Sequence, residues 1–132
     1  MDDIAKMKVL VCDDEALARM RLKRLVEMAN MEVSAEAASG REAVESAGRL
    51  RPDVVLMDIR MPDMDGLEAA AHLDKMENPP AVIFCTAYEE HALQAFRVHA
   101  VDYLLKPVGA QDLKRALDKA RALNRVQIAE LS

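Results

Sequence analysis

Five short apolar runs alternate with five stretches of helical periodicity along this chain. KVLVC (8–12) is unbroken and apolar, the pattern of a strand buried on both faces, and it precedes a helix in which Ala18, Leu22, Leu25 and Ala29 recur at helical spacing. MEVSAEA (31–37) instead alternates Met31, Val33, Ala35 and Ala37 with Glu32, Ser34 and Glu36, which predicts a half-exposed edge strand. Ser39 stands three residues before Glu42, a capping-box spacing that opens a helix burying Ala43, Val44, Ala47 and Leu50. DVVLM (53–57), AVIFC (81–85) and VDYLL (101–105) supply the remaining strands. Between them the pattern predicts a third helix through Leu67, Ala70 and Ala71 towards Met76, ended by Asn78, Pro79 and Pro80, and a fourth over 89–98. A fifth, from about Gln111, buries Leu113, Ala116, Leu117 and Ala120. Strict alternation of near-continuous apolar strands with helices predicts an α/β fold, a doubly wound five-stranded parallel sheet covered on both faces. In such sheets ligands sit beyond the carboxyl ends of the strands.

Composition narrows the function. The 132 residues suit one domain, and 52% apolar with 31% charged residues fits a globular chain rather than disorder. A net charge of -5 offers no basic footprint for nucleic acid, so no direct nucleic-acid contact is expected of this segment. No apolar run reaches the ~20 residues of a membrane span, and the start, MDDIAKMK, lacks a signal peptide's apolar core; a cytoplasmic location without membrane attachment is expected. Cys12 and Cys85 end apolar runs and read as reduced core thiols with no metal-ligand spacing. His72, His91 and His99 share no spacing and read as surface residues.

The residues that follow each strand carry the chemistry. They are Asp13 and Asp14 after the first, Asp58 after the third, Thr86 after the fourth and Lys106 after the fifth. Three converging carboxylates either raise a pKa or hold a hard cation such as Mg2+. A hydroxyl donor and a fixed ammonium are what phosphoryl oxygens need, so the set suits phosphoryl transfer to a carboxylate with Asp58 as nucleophile. Taken singly, Asp13 or Asp14 reads as a helix N-cap, Thr86 as a loop cap and Lys106 as a solvated charge. Their joint placement at strand ends is what favours function.

Those residues, in VLVCDDE, DVVLMDIRMPDMDG, IFCTA and DYLLKP, resemble the receiver domain of bacterial two-component response regulators over residues 7–122. TAYEEHALQAFRVHAVDYLLKPV further resembles LytTR-type regulators, and the segment is similar to their alginate-regulator branch. The resemblance implies a flavodoxin- and CheY-like (βα)5 sheet in the order 2-1-3-4-5, with residues 1–122 as receiver and 123–132 as a helix extension or linker. It implies Asp58 as phosphoacceptor, with Mg2+ held by Asp14 directly, Asp13 through water, Asp58, and the backbone carbonyl of Arg60. It further implies Thr86 and Lys106 at the phosphoryl group, a cis Lys106–Pro107 peptide, and Thr86 with Tyr103 as switch residues. Arg60 and Tyr88 would partly shield the site from attacking water. A sensor histidine kinase is the implied partner. A homodimer through helix four, strand five and helix five is the implied output, serving a β-rich DNA-binding domain; the chain ends soon after the fifth helix, as a truncated piece or a stand-alone receiver would.

Competing readings have specific weaknesses. An aspartyl-phosphate phosphohydrolase needs a second acid two residues after its nucleophile, where this chain has Arg60. Gly40, Gly48, Gly66 and Gly109 form no GxGxxG or P-loop cradle for a nucleotide or flavin. A receiver that only docks, without phosphorylation, remains the alternative. No enzymatic turnover is expected beyond slow self-dephosphorylation.

Overall fold

The computed structural model describes residues 6–131. Five parallel strands, β1 (Lys8–Cys12), β2 (Glu32–Ala37), β3 (Val54–Met57), β4 (Ala81–Thr86) and β5 (Asp102–Leu105), form one sheet in the order β2-β1-β3-β4-β5. The helices are α1 (Ala16–Met28), α2 (Gly40–Leu50), α3 (Gly66–Asp74), α4 (Ala92–Arg97) and α5 (Ala110–Leu131). Both the alternation and the strand order match the sequence expectation.

Alternate strand residues face opposite layers because successive side chains leave a strand on opposite sides. Val9, Val11, Val54, Leu56, Ile83 and Cys85 pack under α1 and α5, against Leu22, Val26, Leu113 and Leu117. Leu10, Cys12, Val55, Met57, Val82 and Phe84 face α2 and α3, against Ala43, Ala47, Ala70 and Leu73. Cys12 and Cys85 are therefore on opposite faces, with β3 between their strands, and both are free and buried. Burial pushes each thiol up to about 12, so neither is a thiolate at neutral pH.

Local capping follows the sequence. Ser39 Oγ accepts from Glu42 N at 3.1 Å, and Glu42 reaches back to Ala38 N at 3.2 Å, one residue before the cap itself. Asp65 caps α3 by accepting from Glu68 N at 2.8 Å.

Several boundaries differ from expectation. Leu50 is 39% exposed rather than buried, because it ends α2 beside Arg51, whose left-handed φ of 49° turns the chain away. The third helix stops at Asp74, short of Met76. The expected helix over 89–98 divides into a 3-10 turn, Glu89–His91, and the short α4. His72 and His99 are exposed, while His91 is half-buried. The backbone of α5 runs to Leu131, and the side chains of Val126, Ile128 and Leu131 lie outside the described residues. Among the described residues no helix is long and apolar enough to cross a membrane.

Candidate functional site at the strand ends

The sheet order puts the ends of β1 and β3 side by side, and Asp13 and Asp58 stand immediately beyond them. Backbone pairing extends past the strands to fix both residues: Asp13 N donates to Ala37 O and Asp58 N to Cys12 O, each at 3.0 Å. Asp13 is fully buried and Asp58 is 6% exposed, whereas Asp14 faces solvent. Carboxylate oxygens of these three residues lie within 4.8 Å of one another.

Lys106 closes the cluster from β5. Its Nζ donates to Asp13 Oδ2 at 2.6 Å and to Asp58 Oδ2 at 3.1 Å. Its amide donates to Thr86 O at 2.8 Å, which continues the β4–β5 pairing, and the Lys106–Pro107 peptide is cis. The remaining carboxylate oxygens are partly committed: Asp13 Oδ1 accepts from Glu15 N at 2.9 Å and Asp58 Oδ1 from Ile59 N at 2.7 Å. The bond from Glu15 N holds the turn before α1, but Asp13 is not the helix N-cap it was expected to be: that position is Glu15, which has no side-chain capping bond.

Three acids against one ammonium leave a net charge of about -2, which suits a small dication bound by hard oxygen donors. Burial is the largest influence on Asp58 and raises its pKa; Lys106 acts in the opposite direction and Asp13 adds to the rise. Burial alone would lower the Lys106 pKa, but its bonds to Asp13 and Asp58 and their charges win and raise it.

The upward shift of Asp58 carries a stability consequence. A carboxyl whose folded pKa exceeds its unfolded value near about 3.9 costs stability as pH rises through that window, and the cost persists at neutral pH. Asp58→Asn is therefore expected to be more stable than the parent at pH 7 by roughly 0.5–2 kcal/mol, with the difference vanishing in acid. Lys106 keeps its shorter bond to Asp13 in that variant. Urea unfolding of both proteins at pH 3.5 and 7 measures it; a variant less stable at pH 7 would contradict the balance described.

Thr86 is fully buried, and its Oγ1 accepts from Tyr88 N at 3.4 Å. The Tyr103 hydroxyl donates to the carbonyl of the same Tyr88, and the Tyr103 ring, half-buried, lies 6.1 Å from that of Phe84. Arg60 folds over the Tyr88 ring, its guanidinium carbon 3.8 Å from the centroid, and pairs with Glu90 at 2.9 Å. The Arg60 side chain is thus held by residues that follow β4.

Two further residues, absent from the strand-end set, support the site. Gly66 donates its amide to Ile59 O at 2.7 Å, and a Cβ there would lie 2.0 Å from the Asp58 carbonyl oxygen. Sequence spacing carries no sign of that approach. Arg19 donates Nη1 to the Asp13 carbonyl at 2.6 Å. A cation in the first turn of a helix opposes the helix dipole, and that mismatch is the mark Arg19 leaves in the sequence.

Comparison with known proteins agrees with the geometry. The chain is 54% identical over 128 residues to the positive alginate biosynthesis regulatory protein of Pseudomonas aeruginosa, covering 96% of this chain and 52% of that protein. It is 46% identical over 123 residues to the sensory transduction protein LytT of Bacillus cereus, covering 92% and 50%. The chain therefore spans about half the length of these curated relatives. Among solved structures it superimposes on the signal receiver domain of the putative response regulator NarL from Mycobacterium tuberculosis with a TM-score of 0.83 at 35% identity, covering 89% of this chain and 98% of that one. The REC domain of AraT from Geobacillus stearothermophilus gives 0.80 at 38% identity, covering 92% and 98%. The family model for the response regulator receiver domain matches residues 9–118, and with the fold and these relatives it establishes that the chain belongs to that family, in its LytTR-type company.

Proposed function

We propose that Asp58 accepts a phosphoryl group in a Mg2+-dependent reaction and that the fold passes this event to the face formed by α4, β5 and α5. Response regulators are phosphorylated by sensor histidine kinases, and such a kinase is the proposed donor. The observation that carries the reading is the convergence of Asp13, Asp14 and Asp58 within 4.8 Å, bridged by Lys106.

Asp58 Oδ2 attacks phosphorus, forming a new P–O bond as the bond to the donor breaks, and the donor group leaves with that electron pair. Asp13, Asp14, Asp58 and the Arg60 carbonyl would hold Mg2+, which when bound neutralises charge on the phosphoryl oxygens. Lys106 Nζ, 3.1 Å from Asp58, can turn from carboxylate to phosphoryl oxygen without leaving the cluster. The Thr86 hydroxyl supplies a further donor. Arg60, packed on Tyr88 and paired to Glu90, stands two residues after Asp58 and would partly shield it from attacking water. Mass spectrometry after treatment with acetyl phosphate and Mg2+ tests the assignment: one labile phosphoryl adduct is expected on the parent and none on Asp58→Asn. Equal labelling of the two would reject Asp58 as acceptor.

Thr86 and Tyr103 both bond to residue 88, one through its amide and the other through its carbonyl. Drawing the Thr86 hydroxyl towards a phosphoryl group would release the Tyr88 amide and shift the carbonyl that Tyr103 holds. Tyr103 lines an open hollow of about 420 Å³ with Ala92, Ala95, Val101, Leu105 and Lys119. Leu105 is 45% exposed there, an apolar element that pairing with a second copy would cover in a two-fold dimer. Sedimentation should show acetyl phosphate or beryllofluoride shifting the chain from monomer towards dimer, less so in Thr86→Ala. Identical dimerisation in every state would remove the relay.

A further inference from the structure

We infer that Arg19 is a positioning residue for the acid cluster, holding the Asp13–Asp14 peptide so that the Asp14 carboxylate meets those of Asp13 and Asp58, with Glu36 as its anchor. The inference rests on the reading of that cluster as a cation site. Asp13 and Asp58 are each fixed by two partners: Asp13 by Glu15 N and Lys106, Asp58 by Ile59 N and Lys106. Asp14 is different. It is exposed, and among the described residues no hydrogen bond orients its carboxylate. Its reach towards the other two acids depends on where the backbone puts its Cα and Cβ, beginning with the peptide plane at the Asp13 carbonyl.

That carbonyl belongs to a fully buried residue past the end of β1, and a buried backbone acceptor requires a partner. Arg19 provides it, donating Nη1 at 2.6 Å while Nε donates to Glu36 Oε1 at 3.2 Å. Glu36 is in turn held by Lys23 Nζ, 2.7 Å from its second oxygen. The planar guanidinium fork therefore connects edge strand β2 to the loop that carries the acids, and an ammonium cannot serve both acceptors in that fixed geometry. Arg19 is 19% exposed and sits in the first turn of α1, where the helix dipole disfavours a cation.

Charge alone and positioning predict opposite signs. Removing a cation beside a cation site tightens metal binding if only its field matters, whereas loosening the support of a ligand weakens binding, typically by about 10- to 100-fold. Calorimetric Mg2+ titration of the whole chain, without a phosphodonor, distinguishes them. Arg19→Gln is expected to bind Mg2+ at least about tenfold more weakly than the parent. Arg19→Lys should also be weakened at unchanged charge, and Glu36→Gln should show a smaller loss. Thermal unfolding in Mg2+-free buffer verifies that each variant is folded. Parent-like or tighter binding by Arg19→Gln would overturn the inference. If that variant does not fold, unchanged affinity in both Arg19→Lys and Glu36→Gln would overturn it, and weakening in both would sustain it. If Asp14→Asn binds Mg2+ as the parent does, the cation-site reading fails and this inference falls with it.

Discussion

Lys106→Met is expected to be less stable than the parent by about 2–3 kcal/mol at pH 7, and to recover more of that stability than the parent gains when millimolar Mg2+ is added. Removing one member of a buried ion pair typically costs about 3–5 kcal/mol because the other charge is left uncompensated. Here the Lys106 side chain retains 22% exposure, so water recovers part of that cost. The two carboxylates left behind are among the least exposed polar groups described. A dication between them would take over the role of the ammonium, stabilising the fold by mass action. The pH dependence has a definite sign: the folded pKa of Lys106 is raised, so its contribution is complete below the unfolded lysine value near about 10.4 and is lost as pH climbs through the folded value. Urea unfolding of both proteins, with and without Mg2+, measures the effect. Equal stabilities and equal responses to Mg2+ would show that the ammonium does not neutralise the cluster.

Gly66→Ala should disable the site through the backbone. An added Cβ would lie 2.0 Å from the Asp58 carbonyl oxygen and 2.9 Å from Ile59 Cα. Both neighbours are main-chain atoms, so no rotamer change relieves the contact; either the start of α3 or the end of β3 must move. Overpacking of this kind costs about 1–3 kcal/mol and sometimes more. Displacing the nucleophile by about 1 Å can cost ~100-fold in rate. The acetyl-phosphate labelling rate should therefore fall by roughly two orders of magnitude together with the loss in stability. Gly48→Ala is the control, because its Cβ meets nothing within 4 Å in mid-helix and Ala is the better helix former. Labelling of Gly66→Ala at the parent's rate would mean that the strand end tolerates the displacement.

The elements legible in the sequence were those whose signal is local and periodic. Buried strands declare themselves as apolar runs, and all five were found within a residue or two. Ser39 with Glu42 announced the start of α2, because a capping box is a contact between neighbours in the chain. Leu50 failed for the converse reason: helical spacing assigned it to the buried face, but the sharp turn at Arg51 left the last turn of α2 in solvent. The fourth helix failed because 89–98 keeps an apolar rhythm through a tight 3-10 turn, and periodicity does not separate the two geometries.

For the site, the strand-end positions by themselves determined which carboxylates, hydroxyl and ammonium share a rim, since a parallel sheet places every strand's carboxyl end on one edge. The Lys106 bridge between Asp13 and Asp58 joins residues 93 and 48 positions apart, and its distances could come only from the sheet order. Burial likewise decided that Asp58 is raised despite a cation at 3.1 Å, since desolvation depends on what the helices cover rather than on which residues adjoin in the chain. The close approach of Gly66 to Asp58 has no sequence pattern of its own, and the cation in the first turn of α1 that marks Arg19 does not name the Asp13 carbonyl as its partner. Both are contacts with main-chain atoms, which every residue carries alike, so only the packed backbone reveals where they fall.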